Sequence, residues 1–333
     1  MKPVIFGLSG AELTADERDF FREADPLGYI LFKRNCVDRA QMRALTDSLR
    51  DLSGRADVPI LIDQEGGRVA RMQPPEWPAF PAGPAFDKLY DLAPSSAIEA
   101  VRANAQALAL MLAEVGVNVN CAPLLDVRQP ETTPAVGERT FGSEPMQVAA
   151  LGRAMLDGMA KGGVVGVVKH MPGHGRGVVD SHYELPVVRA SDAELERDIE
   201  PFRTLAGAPM GMTCHVVFEA WDADRPATLS PTVIADVIRG RIGFDGLLMT
   251  DDIDMKALSG TAGEKAAAAI AAGCDVALDC WARMEEMVEI AGRLGDASTA
   301  ALARLERAMA SVRPEEAPMD ALIAKRDELL ALA

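Results

Sequence analysis

Eight short apolar runs, separated by stretches with helical spacing, constrain the fold of this chain more than any other feature. They lie near residues 4–8, 29–32, 59–63, 117–122, 164–169, 210–215, 246–250 and 275–278. Each is apolar on consecutive positions, the pattern of a parallel strand covered on both faces. The clearest intervening helix spans 97–114, with Ile98, Val101, Ala105, Leu108 and Leu112 at three- and four-residue spacing. Ser96 and Glu99 read as a capping box at its start, and Gly116 as its C-terminal stop. Eight strands with helices between them meet the requirements of an α/β chain folded as a single (β/α)8 barrel of the TIM type. A doubly wound sheet would carry a Gly-x-Gly-x-x-Gly turn after its first strand, and that turn is absent here. Helical patterns at 283–294, 297–312 and 319–332 follow the last strand. One barrel domain over 1–333 is therefore expected, with 295–333 as a helical C-terminal extension.

The polar residues respect that frame. Lys33, Arg34, Asp63, Arg68, Arg71, Asp126, Lys169, His170, His215, Asp251 and Asp252 all fall just past the C-terminal ends of the expected strands. That is the face on which barrel enzymes keep their chemistry. The chain has four histidines, and His170, His174 and His182 sit in one stretch punctuated by Gly173, Gly175 and Gly177. Spaced glycines disfavour helix and strand interiors, so the stretch is a loop, and imidazoles on it suit proton transfer or metal binding. A formal charge of −16 argues against a nucleic-acid partner. The N-terminus lacks the apolar core of a signal peptide, and no apolar run is long enough to span a bilayer. Five widely spaced cysteines, without a Cys-x-x-Cys pair, read as free thiols in a reducing cytoplasm.

Asp251 and Asp252 end the apolar run LLMTDD, where an ionised carboxylate serves as nucleophile, general base, metal ligand or helix cap. Asp180 and His182 are two apart, so extended backbone puts them on one face, where the carboxylate would raise the imidazole's basicity. Arg68, Arg71, Arg139 and Lys169 supply fixed donors suited to carboxylates, phosphates or vicinal hydroxyls.

Four segments carry a resemblance: IDQEGGRVARM (62–72), GERTFG (137–142), KHMPGHG with DSH (169–182), and TLSPTVIADVIRGRIGFDGLLMTDDIDM (228–255). In this order they resemble the barrel of glycoside hydrolase family 3, and within it the bacterial cytoplasmic β-N-acetylglucosaminidases of peptidoglycan recycling. Members of the β-glucosidase type take a glutamate acid/base from a second α/β domain, whereas this chain has the DSH segment. Met171 stands where a phenylalanine is common, a change that leaves the chemistry untouched. The resemblance implies Asp251 as the nucleophile that forms a glycosyl ester. It implies His182 as the general acid/base with Asp180 as its partner. Asp63, Arg71, Arg139, Lys169 and His170 would hold the sugar, His174 would brace the loop, and His215 would stand behind the site. The glycines around His174 and Arg176 would let His182 swing toward a bound substrate. The implied activity is retaining hydrolysis of terminal β-linked N-acetylglucosamine from GlcNAc-1,6-anhydroMurNAc and its peptides. It would be carried out by a monomer, without metal or cofactor.

Three other readings compete. A metal-dependent barrel hydrolase would use His170, His174, His215 and an aspartate, but such sites commonly begin with His-x-His after the first strand, and GLSGAEL follows it here. A phosphate-binding barrel would rest on the SGTAG turn at 259–263 alone. A non-catalytic sugar-binding barrel would keep Asp63, Arg71 and Lys169 but has no use for Asp251 together with Asp180 and His182.

Overall fold

The computed structural model describes residues 1–181 and 183–333, so the expected acid/base His182 lies outside the described residues. All eight expected strands form: β1 (Lys2–Gly7), β2 (Pro26–Leu31), β3 (Ile60–Ile62), β4 (Val119–Asn120), β5 (Val165–Met171), β6 (Met210–Thr213), β7 (Leu247–Asp252) and β8 (Val276–Asp279). They pair in parallel, each with its sequence neighbours, and β1 closes against β8 into a barrel. The fold is a (β/α)8 barrel.

Two hydrophobic clusters explain why the runs are apolar on consecutive residues. Alternate positions point inward, and Ile5, Ile30, Leu61, Val119, Val167, Met249 and Leu278 fill the lumen. The positions between them, such as Phe6, Tyr29, Ile62, Val168 and Leu248, face the helix layer. Period two also fixes where the chemistry emerges. Asp63, Lys169 and Asp251 each lie two residues beyond an inward-facing Leu61, Val167 or Met249, so they continue the lumen rows at the C-terminal mouth.

Helix α1 (Ala15–Ala24) closes on β1 and β2 through Phe20 and Phe21, whose rings meet Phe6 and Tyr29. Helix α2 (Arg39–Ser53) follows β2, and α3 (Gly83–Leu92) follows the proline-rich loop after β3. The long helix α4 (Pro94–Glu114) starts earlier than its periodicity suggested, with Pro94 in its first turn and no side-chain cap. The expected Ser96–Glu99 capping box is therefore absent, and Glu99 pairs with Arg102 and Lys325 instead. Gly116 does turn the chain at the other end, with φ of 82°.

Helices α5 (Pro145–Lys161) and α6 (Asp192–Thr204) flank β5, and α7 (Ala262–Ala272) and α8 (Met284–Arg293) flank β8. Beyond α8, helix α9 (Thr299–Met309) brings Leu305, Ala308 and Met309 against the lumen cluster beside Met1 and Leu27, closing the barrel's N-terminal end. Helix α10 (Met319–Leu330) lies on α4, where its buried Arg326 donates to Asn104 at 3.1 Å and covers the Phe80 ring. A small sheet of Val187–Val188, Val217–Phe218 and Asp222–Pro226 stands above the mouth. No helix among the described residues is long and apolar enough to cross a membrane.

Candidate active site

A cavity of about 210 Å³ opens at the C-terminal mouth. Asp63, Arg71, Arg139, Lys169, His170, Asp180 and Asp251 all line it. The described part of the expected site is thus assembled from three strand ends and three loops. Its floor is a chain of ion pairs. Arg71 Nη2 reaches Asp63 Oδ2 at 3.1 Å, and Lys169 Nζ meets Asp63 Oδ1 at 3.0 Å and Glu65 Oε1 at 2.8 Å. Arg139 holds Glu65 in a fork, Nη2 to Oε1 at 2.6 Å and Nε to Oε2 at 2.8 Å. Two carboxylates among three cations leave one positive charge in excess, turned toward the cavity that Asp251 shares.

Burial acts against every charge in this chain, and pairing overrides it. Burial would raise the Glu65 carboxyl, but Arg139 and Lys169 hold it down at about 2. Asp63 is driven below its ordinary range in the same way, against burial, by Lys169 and Arg71. Lys169, only 2% exposed, would lose its proton on burial alone, and Asp63 and Glu65 push it above its ordinary value instead. These donors therefore stay charged and fixed, which is what recognition of several hydroxyls or an acetamido group requires.

Asp251 and Asp252 separate cleanly. Asp251 faces the cavity; burial would raise its carboxyl, but His170, His215, the Asp252 N–H and Lys169 together bring it below its ordinary value. One Asp251 oxygen accepts that N–H at 2.8 Å. Asp252 points into the wall, where Oδ1 accepts from the N–H groups of Asp254 and Cys280, and burial pushes its carboxyl up to about 6. The helix cap expected of one of the two aspartates is absent: a turn follows Asp252, and α7 is capped by Thr261 instead.

His215 stands behind this turn with both ring nitrogens engaged. Nε2 meets the Asp252 carbonyl at 2.9 Å, and Nδ1 meets Thr228 Oγ1 at 2.8 Å. A carbonyl only accepts, so Nε2 carries the proton, and burial holds the ring neutral-leaning despite the nearby Asp251 charge. His215 has no nitrogen left for a metal. His170 donates Nδ1–H to Asp126 Oδ2 at 2.7 Å, and its Nε2 has no hydrogen-bond partner among the described residues. Both Lys169 and His170 reach the cavity because the register of β5 against β6 shifts between Val168 and Met171.

Asp126 is a residue whose part the sequence did not disclose. Wholly buried, it takes His170 with one oxygen and the His174 N–H with the other, at 2.6 Å. Burial would raise its carboxyl, and the two imidazoles bring it to about 2. Glu65 is the second such residue. It lay within the quoted 62–72 segment, but nothing in its spacing told a buried network member from a surface acid. Asp126 was marked only as a polar residue past a strand end.

Two glycines of the glycine-rich stretch have a use that the sequence did not show. A Cβ on Gly175 would lie 1.9 Å from the Val127 carbonyl oxygen, and one on Gly177 would lie 2.7 Å from the His174 ring. These two glycines serve close packing. The Gly177 carbonyl accepts from Thr133 N–H at 3.0 Å, and that of Gly175 accepts from the Thr132 hydroxyl. His174 does brace the loop: its ring is buried, and Nε2 meets Ser181 Oγ at 3.3 Å. Asp180 lines the cavity beside Ser181, while its expected pairing with His182 lies outside the described residues.

The comparisons with known proteins agree with this geometry. The family model "Glycosyl hydrolase family 3 N terminal domain" matches residues 11–313. A beta-hexosaminidase of Aromatoleum aromaticum is 38% identical over 285 residues, covering 84% of this chain and 79% of the relative. One from Chromobacterium violaceum is 36% identical over 94% of this chain and 88% of its own. Crystalline NagZ from Neisseria gonorrhoeae, solved with N-trifluoroacetyl-D-glucosamine, superposes with a TM-score of 0.87 at 29% identity, covering 99% of this chain and 98% of that one. With a barrel of the right topology and a matching model along most of its length, the chain belongs to glycosyl hydrolase family 3.

Proposed function

We propose that this glycoside hydrolase is a retaining β-N-acetylhexosaminidase acting on muropeptides. Terminal, nonreducing β-linked N-acetylglucosamine would be removed from GlcNAc-1,6-anhydroMurNAc and its peptides by a cytoplasmic monomer. The observation that carries the reading is the Asp251 carboxylate, held ionised in the cavity it shares with the Arg71–Asp63–Lys169–Glu65–Arg139 network. The network's donors take the sugar's hydroxyl and acetamido oxygens and present the anomeric carbon to Asp251.

Asp251 attacks that carbon while His182 gives its proton to the departing oxygen, and the glycosyl ester forms as the glycosidic bond breaks. His182, now neutral, takes a proton from water, whose oxygen attacks the same carbon and releases Asp251. Two displacements on one carbon retain its configuration. An imidazole acid/base spares the site a second anion beside Asp251, and Asp180 as its partner supports the basicity needed for the second step.

The test compares matched aryl N-acetylglucosaminide and aryl glucoside. Loss of the acetamido group leaves fixed donors unpaired, and kcat/KM is expected to fall by orders of magnitude, about 10⁴-fold where a buried polar set is left unmet. Equal kcat/KM on the two sugars rejects the sugar assignment. A 5-fluoro N-acetylglucosaminyl fluoride, which keeps the acetamido group and carries a good leaving group, is expected to label Asp251, and a label on Asp252 overturns the choice between them.

A further inference from the structure

The mechanism leaves unused a buried ion pair beside the glycine-rich stretch. Asp198 lies on α6, four residues after Glu194, whose own carboxylate closes the capping box with Ser191. This spacing puts both acids on one face of the helix. That face meets Arg176: Nε donates to Asp198 Oδ2 at 2.6 Å, and Nη1 lies 3.7 Å from Glu194 Oε1. Asp198 is 4% exposed, and its second oxygen has no hydrogen-bond partner among the described residues. A carboxylate buried that deeply against one guanidinium is a different object from a surface salt bridge, because breaking it strands a charge.

The placement of Asp198 gives the pair its meaning. Its side chain lies against Gly173 as well, where a Cβ would meet Asp198 atoms at 3.4 Å. It therefore touches the stretch on both sides of His174, at Gly173 and at Arg176. His174 in turn meets Ser181, the neighbour of Asp180. Beyond Gly177, Val178 and Tyr183 are exposed, while Ser181 is buried on His174 and the Pro186 carbonyl accepts from Val217 N–H. Asp180 follows closely on the root of the stretch, and Arg176 ties that root to a neighbouring helix.

We infer that the Arg176–Asp198 pair is a positioning device for the acid/base step, gripping the root of the stretch so that Asp180 and His182 meet the leaving oxygen in working geometry. The inference rests on the reading of Asp180 and His182 as the acid/base pair. Neither Arg176 nor Asp198 touches substrate. Their effect is confined to whatever chemistry needs the proton.

Asp198→Asn tests this, since it keeps the shape and removes the charge. On substrates with a poor leaving group, such as the disaccharide or an alkyl N-acetylglucosaminide, kcat/KM is expected to fall about tenfold to a hundredfold, the scale of a misplacement near 1 Å. On an aryl substrate whose phenol leaves unprotonated, kcat/KM is expected to stay within about twofold. In a His182→Ala background the same substitution is expected to add nothing, because the group it positions is gone. Arg176→Lys, which keeps the charge but loses the fork, is expected to give the same pattern more weakly, and it serves as the second variant if Asp198→Asn does not fold. Equal losses on good and poor leaving groups, an additive loss in the His182→Ala background, or no loss at all overturns the inference. The two failures are distinguishable: if His182→Ala itself ignores the leaving group, the acid/base reading falls. If it discriminates and Asp198→Asn does not, the positioning role alone falls.

Discussion

Asp251 and Asp252 are adjacent acids of opposite fate, and the difference is a matter of strand phase. Asp251 continues the inward row of Leu247 and Met249 into the cavity, whereas Asp252 turns into the wall and caps the following turn. The sequence did not disclose that phase, because a strand covered on both faces is apolar at every position, and only the family resemblance separated the two acids. The paired cations were legible as donors past strand ends, but their partners were not, because Glu65 and Asp126 acquire meaning only when strands distant in sequence become neighbours. At this scale His182→Ala gives the sharpest kinetic outcome. General acid/base assistance is worth about 10²- to 10⁴-fold, and a loss of that size is expected on a natural disaccharide. With an aryl leaving group, formation of the Asp251 ester is expected to stay fast while its hydrolysis slows, giving a burst of phenol. Azide needs no deprotonation, so it is expected to restore turnover and yield the β-glycosyl azide. A uniform slowing across leaving groups, without azide rescue, makes His182 a structural residue.

Elements were legible to the extent that one period governed them. All eight strands announced themselves, since burial on both faces demands runs of consecutive apolar residues. Helix α4 was clear in its middle, yet its start was misplaced because Pro94 opens the first turn as well as a capping box would. The glycine-rich stretch was legible only in part, for a more instructive reason. A glycine permits unusual torsions and it permits close approach, and a sequence does not say which one is in use. At Gly175 it is approach: the obstacle is the backbone carbonyl of Val127, which cannot rotate away. Gly175→Ala is therefore expected to cost about 1–3 kcal/mol, as overpacking does, with a lowered thermal midpoint and weakened turnover of poor leaving groups. Gly207, after α6, has open space around its Cβ position and no left-handed torsion. Gly207→Ala is expected to be neutral or to stabilise by up to about 1 kcal/mol through the unfolded chain. Equal midpoints for the two variants refute the close-packing account of Gly175.

For the molecule as a whole, the buried acids fall into two classes that pull stability in opposite directions with pH. Glu65 and Asp126, paired and held at about 2, add stability that is present above the ordinary carboxyl range and disappears as pH falls toward that value. Asp198 and Asp252 are raised to about 6, and Asp279 to about 7. Asp279, at the end of β8, is wholly buried, and neither oxygen has a hydrogen-bond partner among the described residues. Burial raises it most, and the charges of Asp252, Glu286 and Asp254 add to this, with Arg283 acting weakly the other way. The unfolded carboxyl titrates near about 4. Between that pH and about 7 the folded protein holds a proton that the unfolded chain has released, so stability falls as pH rises through this window. Asp279→Asn keeps the shape and never ionises. Its thermal midpoint is expected to match that of the native protein near pH 4, to pull ahead as pH rises to about 7, and to hold a constant lead above that. Removing the charge also relieves Asp252, which shifts the difference further in the same direction. Taking the difference between the two proteins cancels the opposing contributions of Glu65 and Asp126 and of the buried His174 and His215. Calorimetry from about pH 4.5 to 8.5 measures it, and a lead that is flat or shrinking across that range means that Asp279 is ionised in the fold and has found a partner.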